Sequence, residues 1–428
     1  MNSPVAPPLV VFANFLSDLA VDLSQGRVLE TWAQQAPRKV WLLRAGDVLV
    51  APGRLSGEFR RYVSDLTGVG PDDAGVIEVP PAGAVPLADA VRTAGLVERV
   101  RLHARGPGTA LLPTAPDASA IEFARELGIT VHPYATADDA AAALKATMLL
   151  NTKAGFRRVA EQLGMRLPEG VVCGRNEVES AVRSLLGRHE QVVVKPDRSA
   201  GGHGMRFLSA RDVRGTAPLR LDAVGGPQGL WVVEEYIPVA ASVSVQMENT
   251  PAGPRMLFSG AMRTVQGSFS GYASPLPPDS AHAAGDLERW GTALGRHLAD
   301  RGHLGPFGVD ALIGTDGVVY AGESNVRRTA TTTPHAMVMR LTAASGPPRP
   351  AWMVDKRRTR IPFTFAQAAA RLRQFGLAFD PDSGEGVVLH ADEPLDGRTW
   401  RYTVIAGHAD TVRAREAALE SALEFEPT

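Results

Sequence analysis

Along the first 145 residues, short unbroken apolar runs alternate with stretches whose apolar positions recur at helical spacing. Pro8–Asn14 and Val40–Arg44 read as buried strands. Asp117–Gly128 reads as a helix, because Ala118, Ile121, Ala124 and Leu127 share one face and Gly128 is a suitable stop. Thr130–His132 follows as a further strand. Such alternation predicts a parallel sheet with helices on both faces. No GxGxxG follows a strand here, which argues against a dinucleotide site in this half.

The Ala- and Leu-rich stretch Thr136–Leu163 predicts two helices meeting near Asn151. Strand-like runs come next, at Gly170–Cys173, Gln191–Lys195, Leu230–Ile237, Val243–Met247 and Met256–Ala261, then a helix at about Leu287–Arg301. Val309–Ile313 and Val318–Ala321 are joined by Thr315-Asp316-Gly317, and Asp-Gly between apolar runs predicts a hairpin. Ser345–Pro350 (SGPPRP) reads as a linker. Beyond it the pattern predicts a helix (Ala366–Phe375), two strands (Gly386–His390 and Trp400–Ala406) and a terminal helix (Asp410–Leu423).

Composition narrows the possibilities. The 428 residues fit two to four domains. A net charge of -1 gives no global basic surface for nucleic acid or anionic membrane. Cys173 is the one cysteine, so neither an internal disulfide nor a cysteine-based zinc site is expected. No basic stretch precedes the apolar run Pro8–Ala13, the first Arg is Arg27, and no uninterrupted apolar run is long enough to span a bilayer. A cytoplasmic location without membrane contact is the expectation. Only five of the 45 basic residues are lysines (Lys39, Lys145, Lys153, Lys195 and Lys356). In so Arg-rich a chain, a lysine marks a place where a compact point charge serves better than a planar fork.

Three motifs carry chemistry. In Val192–Met205 (VVVKPDRSAGGHGM) a β-branched strand ends in Lys195-Pro196 before a small-residue loop, Ser199-Ala200-Gly201-Gly202-His203-Gly204. Glycine lets backbone N–H groups approach phosphates, and a lysine at the strand end adds charge beside them. A flexible surface hairpin is the plainer reading. No Gly-Lys-Ser/Thr follows, so this is not a Walker A loop. In Trp231–Ile237 (WVVEEYI) an apolar strand carries two acids, and its backbone could read an adenine edge; taken alone, a strand with a polar rim explains it better. In Gly305–Asn325 (GPFGVDALIGTDGVVYAGESN) the hairpin turn folds Asp310 back near Glu323, and Asn325, two residues on, points to the same side. Three converging oxygen ligands suit Mg²⁺, which shares its shell with water and phosphate. Arg327 and Arg328 follow directly, and Arg263 ends an earlier strand; arginine clamps phosphate or carboxylate bidentately.

The order of these motifs resembles the ATP-grasp superfamily of carboxylate–amine ligases: Lys153 before a helix, Lys-Pro before a glycine loop, Glu-Glu-Tyr-Ile, an Arg-bearing strand, then Asp, 12 residues, and Glu-x-Asn. The resemblance covers about residues 146–345. It implies ATP held between two α+β subdomains, with Lys153 and Lys195 on its phosphates and the loop Ser199, Gly201, Gly202, Gly204 and Met205 closing over them. Glu234, Glu235 and Ile237 would line the adenine pocket; Asp310, Glu323 and Asn325 would hold Mg²⁺. Arg263 and Arg327 would steady the γ-phosphate and the acyl-phosphate. Ser242 stands about where many members place an acid for the ribose hydroxyls, so ribose recognition departs from the pattern.

The outer segments are similar to peptide ligases of the pheganomycin type. The run Glu323–Pro334 (ESNVRRTATTTP) and Gly386–His390 (GVVLH) carry that likeness. It implies a Rossmann-like pre-ATP-grasp domain (1–145), an ATP-grasp domain (146–345) and a small C-terminal α+β domain (346–428). The expected activity joins a small-molecule carboxylate to the amine of an amino acid or peptide through an acyl-phosphate, in specialised peptide (natural product) biosynthesis, with a homodimer possible. Thr329, Thr331, Thr332 and Thr333 are either substrate contacts or a polar loop, and His203 and His335 fall nearby. Ligation of a non-peptide amine, or a nucleotide-binding regulator without turnover, are the alternatives.

Overall fold

The computed structural model describes residues 6–19, 35–198, 204–213, 229–265 and 268–427. Near the N-terminus, β1 (Leu9–Phe12), β2 (Val48–Pro52), β3 (Gly75–Val79), β4 (Ala110–Pro113) and β5 (Thr130–Val131) form a parallel sheet in the order β3-β2-β1-β4-β5. Side-chain alternation splits its apolar residues between two cores. Val10, Phe12, Val48 and Val50 pack with Leu87, Val100, Ile121 and Phe123 of the connecting helices, whereas Val11, Leu49 and Ala51 face Trp41, Phe59 and residues from the C-terminal end of the chain. The predicted helix at 117–128 is Ala118–Leu127. The Asp117 carboxylate caps it by accepting from the Ala120 N–H at 2.8 Å, and Gly128 ends it in the left-handed region.

The apolar run Val40–Arg44 is not the strand that its composition predicts. Residues Ala36–Leu42 form a 3₁₀ helix with Pro37 in its first turn, and the next strand is Val48–Pro52. So short an apolar run carries no period by which to tell strand from helix. Tertiary contacts decide it: the Trp41 ring packs edge-on against Phe59 and Tyr62, and its Nε1 donates to the His390 carbonyl at 3.0 Å.

Two helices, Ala137–Leu150 and Lys153–Gln162, meet at Asn151 as the sequence predicts. The sharp junction depends on Gly155, where a Cβ would collide with the Leu149 carbonyl. A four-stranded antiparallel sheet follows: β6 (Gly170–Gly174), β7 (Gln191–Pro196), β8 (Arg206–Ser209) and β9 (Leu230–Glu235), ordered β6-β9-β7-β8 and backed by the helix Val178–Leu186.

The largest sheet has eight antiparallel strands. β10 (Val239–Thr250), β11 (Gly253–Val265), β12 (Ser268–Ser274), β13 (Gly305–Gly314) and β14 (Val319–Asn325) are joined by β15 (Ala351–Arg358), β16 (Gly386–Leu389) and β17 (Thr399–Ala406), in the order β14-β13-β10-β11-β12-β15-β17-β16. The helix Ala284–Ala299 lays Leu287, Trp290, Leu294 and Leu298 on Val243, Val245, Phe307 and Val309. β12 and β15 escape the sequence pattern. The first is built of small and polar residues, and the second ends in Asp355-Lys356-Arg357-Arg358.

The C-terminal strands therefore continue the sheet that carries the acidic hairpin, through the pairing of Tyr272 with Val354. They also share one core with Trp41, Phe59 and Leu49 of the N-terminal part. Cutting the chain after Ser345 should bare the edge of β12 and half of that core. We expect the shortened chain to lose its near-UV circular dichroism and its cooperative urea transition. A transition with the full-length midpoint would mean that the C-terminal strands are dispensable for the fold.

Candidate functional site

The acidic hairpin is the centre of the site. Its turn is closed by the Gly314 N–H on the Val318 carbonyl at 2.9 Å, the Asp316 side chain accepts from the Val318 N–H at 3.0 Å, and Gly317 takes a positive φ of 79°. On β13, Phe307, Val309, Ala311 and Ile313 turn into the core, so Asp310 faces the other way. Gly308 lies opposite Asn325, Val309 opposite Ser324 and Asp310 opposite Glu323, but Ala311 lies opposite Ala321. Gly322 is the extra residue of a bulge. Without it, strict alternation would send Glu323 into the core alongside Ala321. With it, Asp310, Glu323 and Asn325 share one face, and Asn325 Nδ2 donates to Asp310 Oδ2 at 2.9 Å.

Cations close round this triplet. Lys153 opens its helix after the N-cap Thr152, whose hydroxyl accepts from the Gly155 N–H at 3.0 Å, and Lys153 Nζ is 3.3 Å from Glu323 Oε2. Arg327 donates to Asn151 Oδ1. Asn151, Thr152, Lys153, Glu323, Asn325 and Arg327 line a cleft of about 260 Å³. Burial pushes the Asp310 carboxyl well above the usual carboxylate range and the Glu323 charge adds to the rise, while Arg327 and Asn325 pull it back.

Lys195 is the last residue but one of β7 and pairs with Glu234 of β9, which is also held by Arg157 at 2.9 Å. Glu234 is only 4% exposed. Its carboxylate thus acts as the counter-ion between two cations, not as a free pocket group. Arg157 comes from the same helix as Lys153, one turn on, and the i,i+4 spacing was the signal that could have singled it out. Glu235 accepts from the Glu169 N–H at 2.7 Å and lies 3.3 Å from His189, and Ile237 is buried just past the strand. Ser242 of β10 is paired with Leu312, two residues before the Ser244 that lies opposite Asp310. The β7 end is tied to the Lys153 helix, since Asp197 accepts from the Lys153 and Ala154 N–H groups at 3.0 and 2.8 Å. Of the glycine loop, Gly204 has φ 76° and leads through Met205 into β8; Ser199, Gly201, Gly202 and His203 lie outside the described residues.

Arg263 is not brought into this group. It extends from β11 to Asp355 of β15 at 3.1 Å and to Glu416 of the helix Ala409–Ala422. Its position in β11 has the parity of Ala261, which opposes the core residue Val243, whereas Gly260 opposes Ser244 on the Asp310 face. Two nearby carboxylates satisfy its charge, and it ties the sheet to the terminal helix. His335 packs 4.3 Å from the Phe258 ring centroid, its Nδ1 has no hydrogen-bond partner among the described residues, and burial lowers its pKa to about 4.

The triplet fits a hard cation. Two carboxylates and an amide supply oxygen donors on one face, and Mg²⁺ typically takes one or two carboxylates and leaves the rest of its shell to water and phosphate. A cation between Asp310 and Glu323 would relieve the repulsion that raises the Asp310 pKa. Asn325 can turn its amide oxygen inward without backbone movement. Among the described residues no group of three His, Cys, Asp or Glu side chains could form a dedicated metal cage.

Comparison with known proteins agrees with this architecture. Residues 36–129 match a pre-ATP-grasp domain family and residues 367–419 match the PGM1 C-terminal domain. Solved structures align over nearly the whole chain. N5-carboxyaminoimidazole ribonucleotide synthetase from Thermus thermophilus has a TM-score of 0.58 at 13% identity, covering 98% of this chain and 99% of its own. The Aspergillus clavatus synthase, bound to ADP and 5-aminoimidazole ribonucleotide, has a TM-score of 0.56 at 13% identity, covering 98% and 99%. Biotin carboxylase from Campylobacter jejuni, in a β-γ-ATP complex, has a TM-score of 0.58 at 12% identity, covering 98% and 92%. The chain has an ATP-grasp fold. No curated protein matches its sequence. At such identities the likeness of this chain to solved structures is one of fold.

Glu234 is the residue whose loss should be felt most in stability. Glu234→Ala leaves Lys195 enclosed without its counter-charge and Arg157 with only the exposed Glu161, at an expected cost of about 3 kcal/mol. Urea unfolding would register it as a fall in midpoint at unchanged slope; a midpoint within error of wild type would rule out this coupling.

Proposed function

We propose that this ATP-grasp protein is an ATP-dependent ligase that joins a carboxylate to an amine through an acyl-phosphate. The observation that carries the reading is the convergence of Glu323, Asn325, Lys153 and Arg327 on one cleft, with Asp310 opposite Glu323 and bonded to Asn325 behind it. Five groups of this kind have one economical use, the handling of a polyphosphate and its cation.

In this reading Lys153 and Lys195 lie along the ATP phosphates, and Glu234 and Arg157 hold Lys195 in position. Glu235, Ile237 and Ser242 line the nucleoside end, and the loop Ser199–Met205 covers the phosphates. Asp310, Glu323 and Asn325 would hold Mg²⁺, which supplies charge neutralisation across the phosphates. A substrate carboxylate oxygen attacks the γ-phosphorus, and ADP leaves. Arg327, between the acidic cleft and the next loop, stabilises charge on the acyl-phosphate. The amine then attacks the acyl carbon, the C–N bond forms, and phosphate and a proton leave. No protein nucleophile is needed; positioning and electrostatics carry the rate. Arg263, already paired with Asp355 and Glu416, has no part in these steps.

An amino acid or peptide amine is the preferred acceptor. The match to the PGM1 C-terminal domain, together with the pheganomycin-type likeness of Glu323–Pro334, supports it. A non-peptide amine is the second reading, favoured by the fold likeness to a synthase solved with 5-aminoimidazole ribonucleotide.

The test is phosphate release from ATP with pairs of amino acids and dipeptides, and mass detection of product. Release should rise only when both a carboxylate and an amine are present, and EDTA should stop it. Glu323→Gln should cut turnover by about 100-fold with the fold intact. Near-wild-type turnover in that variant would refute the cation assignment, and ATP consumption independent of any amine would refute the ligase reading.

A further inference from the structure

Of the five lysines, Lys39 is the one whose enclosure is most complete, and the ATP site does not use it. It is 1% exposed in the 3₁₀ helix, and its Nζ donates to the neutral Thr333 hydroxyl at 2.6 Å. Its neighbour Arg38 is 5% exposed, and its Nε has no hydrogen-bond partner among the described residues. Both cations lie over the Phe15 ring, at 5.4 Å (Arg38) and 5.2 Å (Lys39) from its centroid. Arg328 acts electrostatically on Lys39, and Arg401 on Arg38; each of these pairs is repulsive. Glu248 attracts Arg328 from a distance, but its carboxylate is bonded to Arg255 at 3.0 Å. No described carboxylate forms an ion pair with Arg38, Lys39, Arg328 or Arg401.

Enclosing like charges that have no ion pair among the described residues is costly, and a fold keeps such an arrangement where something anionic offsets it. One member of the cluster reaches an opening. Arg328 lines a second cleft of about 300 Å³ with Thr114, His132, Tyr134 and His303. Arg327 lines both this cleft and the acidic one. The two sites are therefore joined through consecutive residues.

We propose that Arg38, Lys39 and Arg328 form a carboxylate-binding site for the amine-bearing substrate, holding the free carboxylate of an amino acid or peptide while its amine meets the acyl-phosphate at the Asp310–Glu323 cleft. The assignment to that substrate rests on the ligase reading. It gives the chain a means of separating two acids: one is activated beside the magnesium-type triplet, and the other is anchored by cations and left unreacted. The Thr333 hydroxyl and the Phe15 face complete the anchor, and a compact ammonium at position 39 fits beneath a carboxylate where a guanidinium would not.

Thermal unfolding of the full chain tests this with L-alanyl-L-alanine, its C-terminal amide and inorganic phosphate, at matched ionic strength. A ligand that binds only the folded state raises the midpoint. The peptide acid should raise it, and the amide and phosphate should do so much less. Arg38→Met and Lys39→Met should each keep or raise the ligand-free midpoint, because an unpaired enclosed charge is removed, and should abolish the response to the acid. Equal responses to acid and amide, no response, or a response to phosphate alone would overturn the proposal. So would variants that lower the ligand-free midpoint, which marks the cations as structural, or variants that keep the wild-type response. Turnover is not needed for this readout. A failed ligase assay leaves the binding result standing, and a working ligase whose variants still bind the acid sinks only this site.

Discussion

One extra residue in a β-ladder determines where the charge of this molecule is concentrated. Gly322 has no partner on β13, and every residue after it is displaced by one position. Ala321 and Val319 therefore keep their places in the core while Glu323 emerges on the face that holds Asp310. Two carboxylates then stand opposite each other, with Asp310 buried and Glu323 at the cleft, which is unfavourable unless positive charge is near. The surrounding elements supply it. The Lys153 helix points its first turn at Glu323, its sharp start permitted by Gly155, and Asn151 at the same junction fixes Arg327. The site is a response by three separate elements to one irregularity in register.

The chain just beyond that hairpin has a second consequence. Arg327 and Arg328 are adjacent, yet Arg327 feels the two carboxylates and Arg328 feels Lys39 and Glu248. The Arg328 N–H donates to the Thr114 carbonyl at 3.0 Å, so the N-terminal sheet is anchored at this point. A single dipeptide therefore spans the boundary between the acidic pair, faced by Lys153 and Arg327, and a basic cluster with no ion-paired carboxylate among the described residues. Opposite charge on either side of one backbone segment suits the proposed ligase, whose two substrates would both be acids.

Much of this was legible in the chain. The Asp-Gly turn predicted the hairpin, the spacing of Asp310, Glu323 and Asn325 predicted their convergence, and the Ala-rich run predicted helices meeting at Asn151. These are local signals, fixed by turn chemistry and by the periods of helix and strand. What was hidden depends on distant partners. Arg263 ends a strand as a phosphate clamp would, but Asp355 and Glu416, 92 and 153 positions away in sequence, claim its charge. Glu234 reads as a rim acid and is a buried counter-ion, because Arg157 and Lys195 reach it from another helix and another strand. The run at Val40 has a strand's composition, but Trp41 and the His390 carbonyl set it as a turn of helix. The register shift at Gly322 has one mark in the sequence, an isolated glycine inside a strand, and its direction is set only by the pairing with β13.

The scarcity of lysine gains meaning from the packing. Arg38 and Lys39 are consecutive and comparably enclosed, so burial alone cannot explain why one is a guanidinium and the other an ammonium. Lys39 has a single short contact to a hydroxyl and an aromatic face beside it, a space for a point charge with no room for a fork. Lys153 and Lys195 show the same preference in contacts to Glu323 and Glu234. Three of the five lysines thus stand where positive charge is drawn into the interior of an otherwise Arg-dominated protein. Two of them meet acids of the chain itself, and the third, Lys39, meets none among the described residues, which is the asymmetry expected if its acid arrives with the substrate.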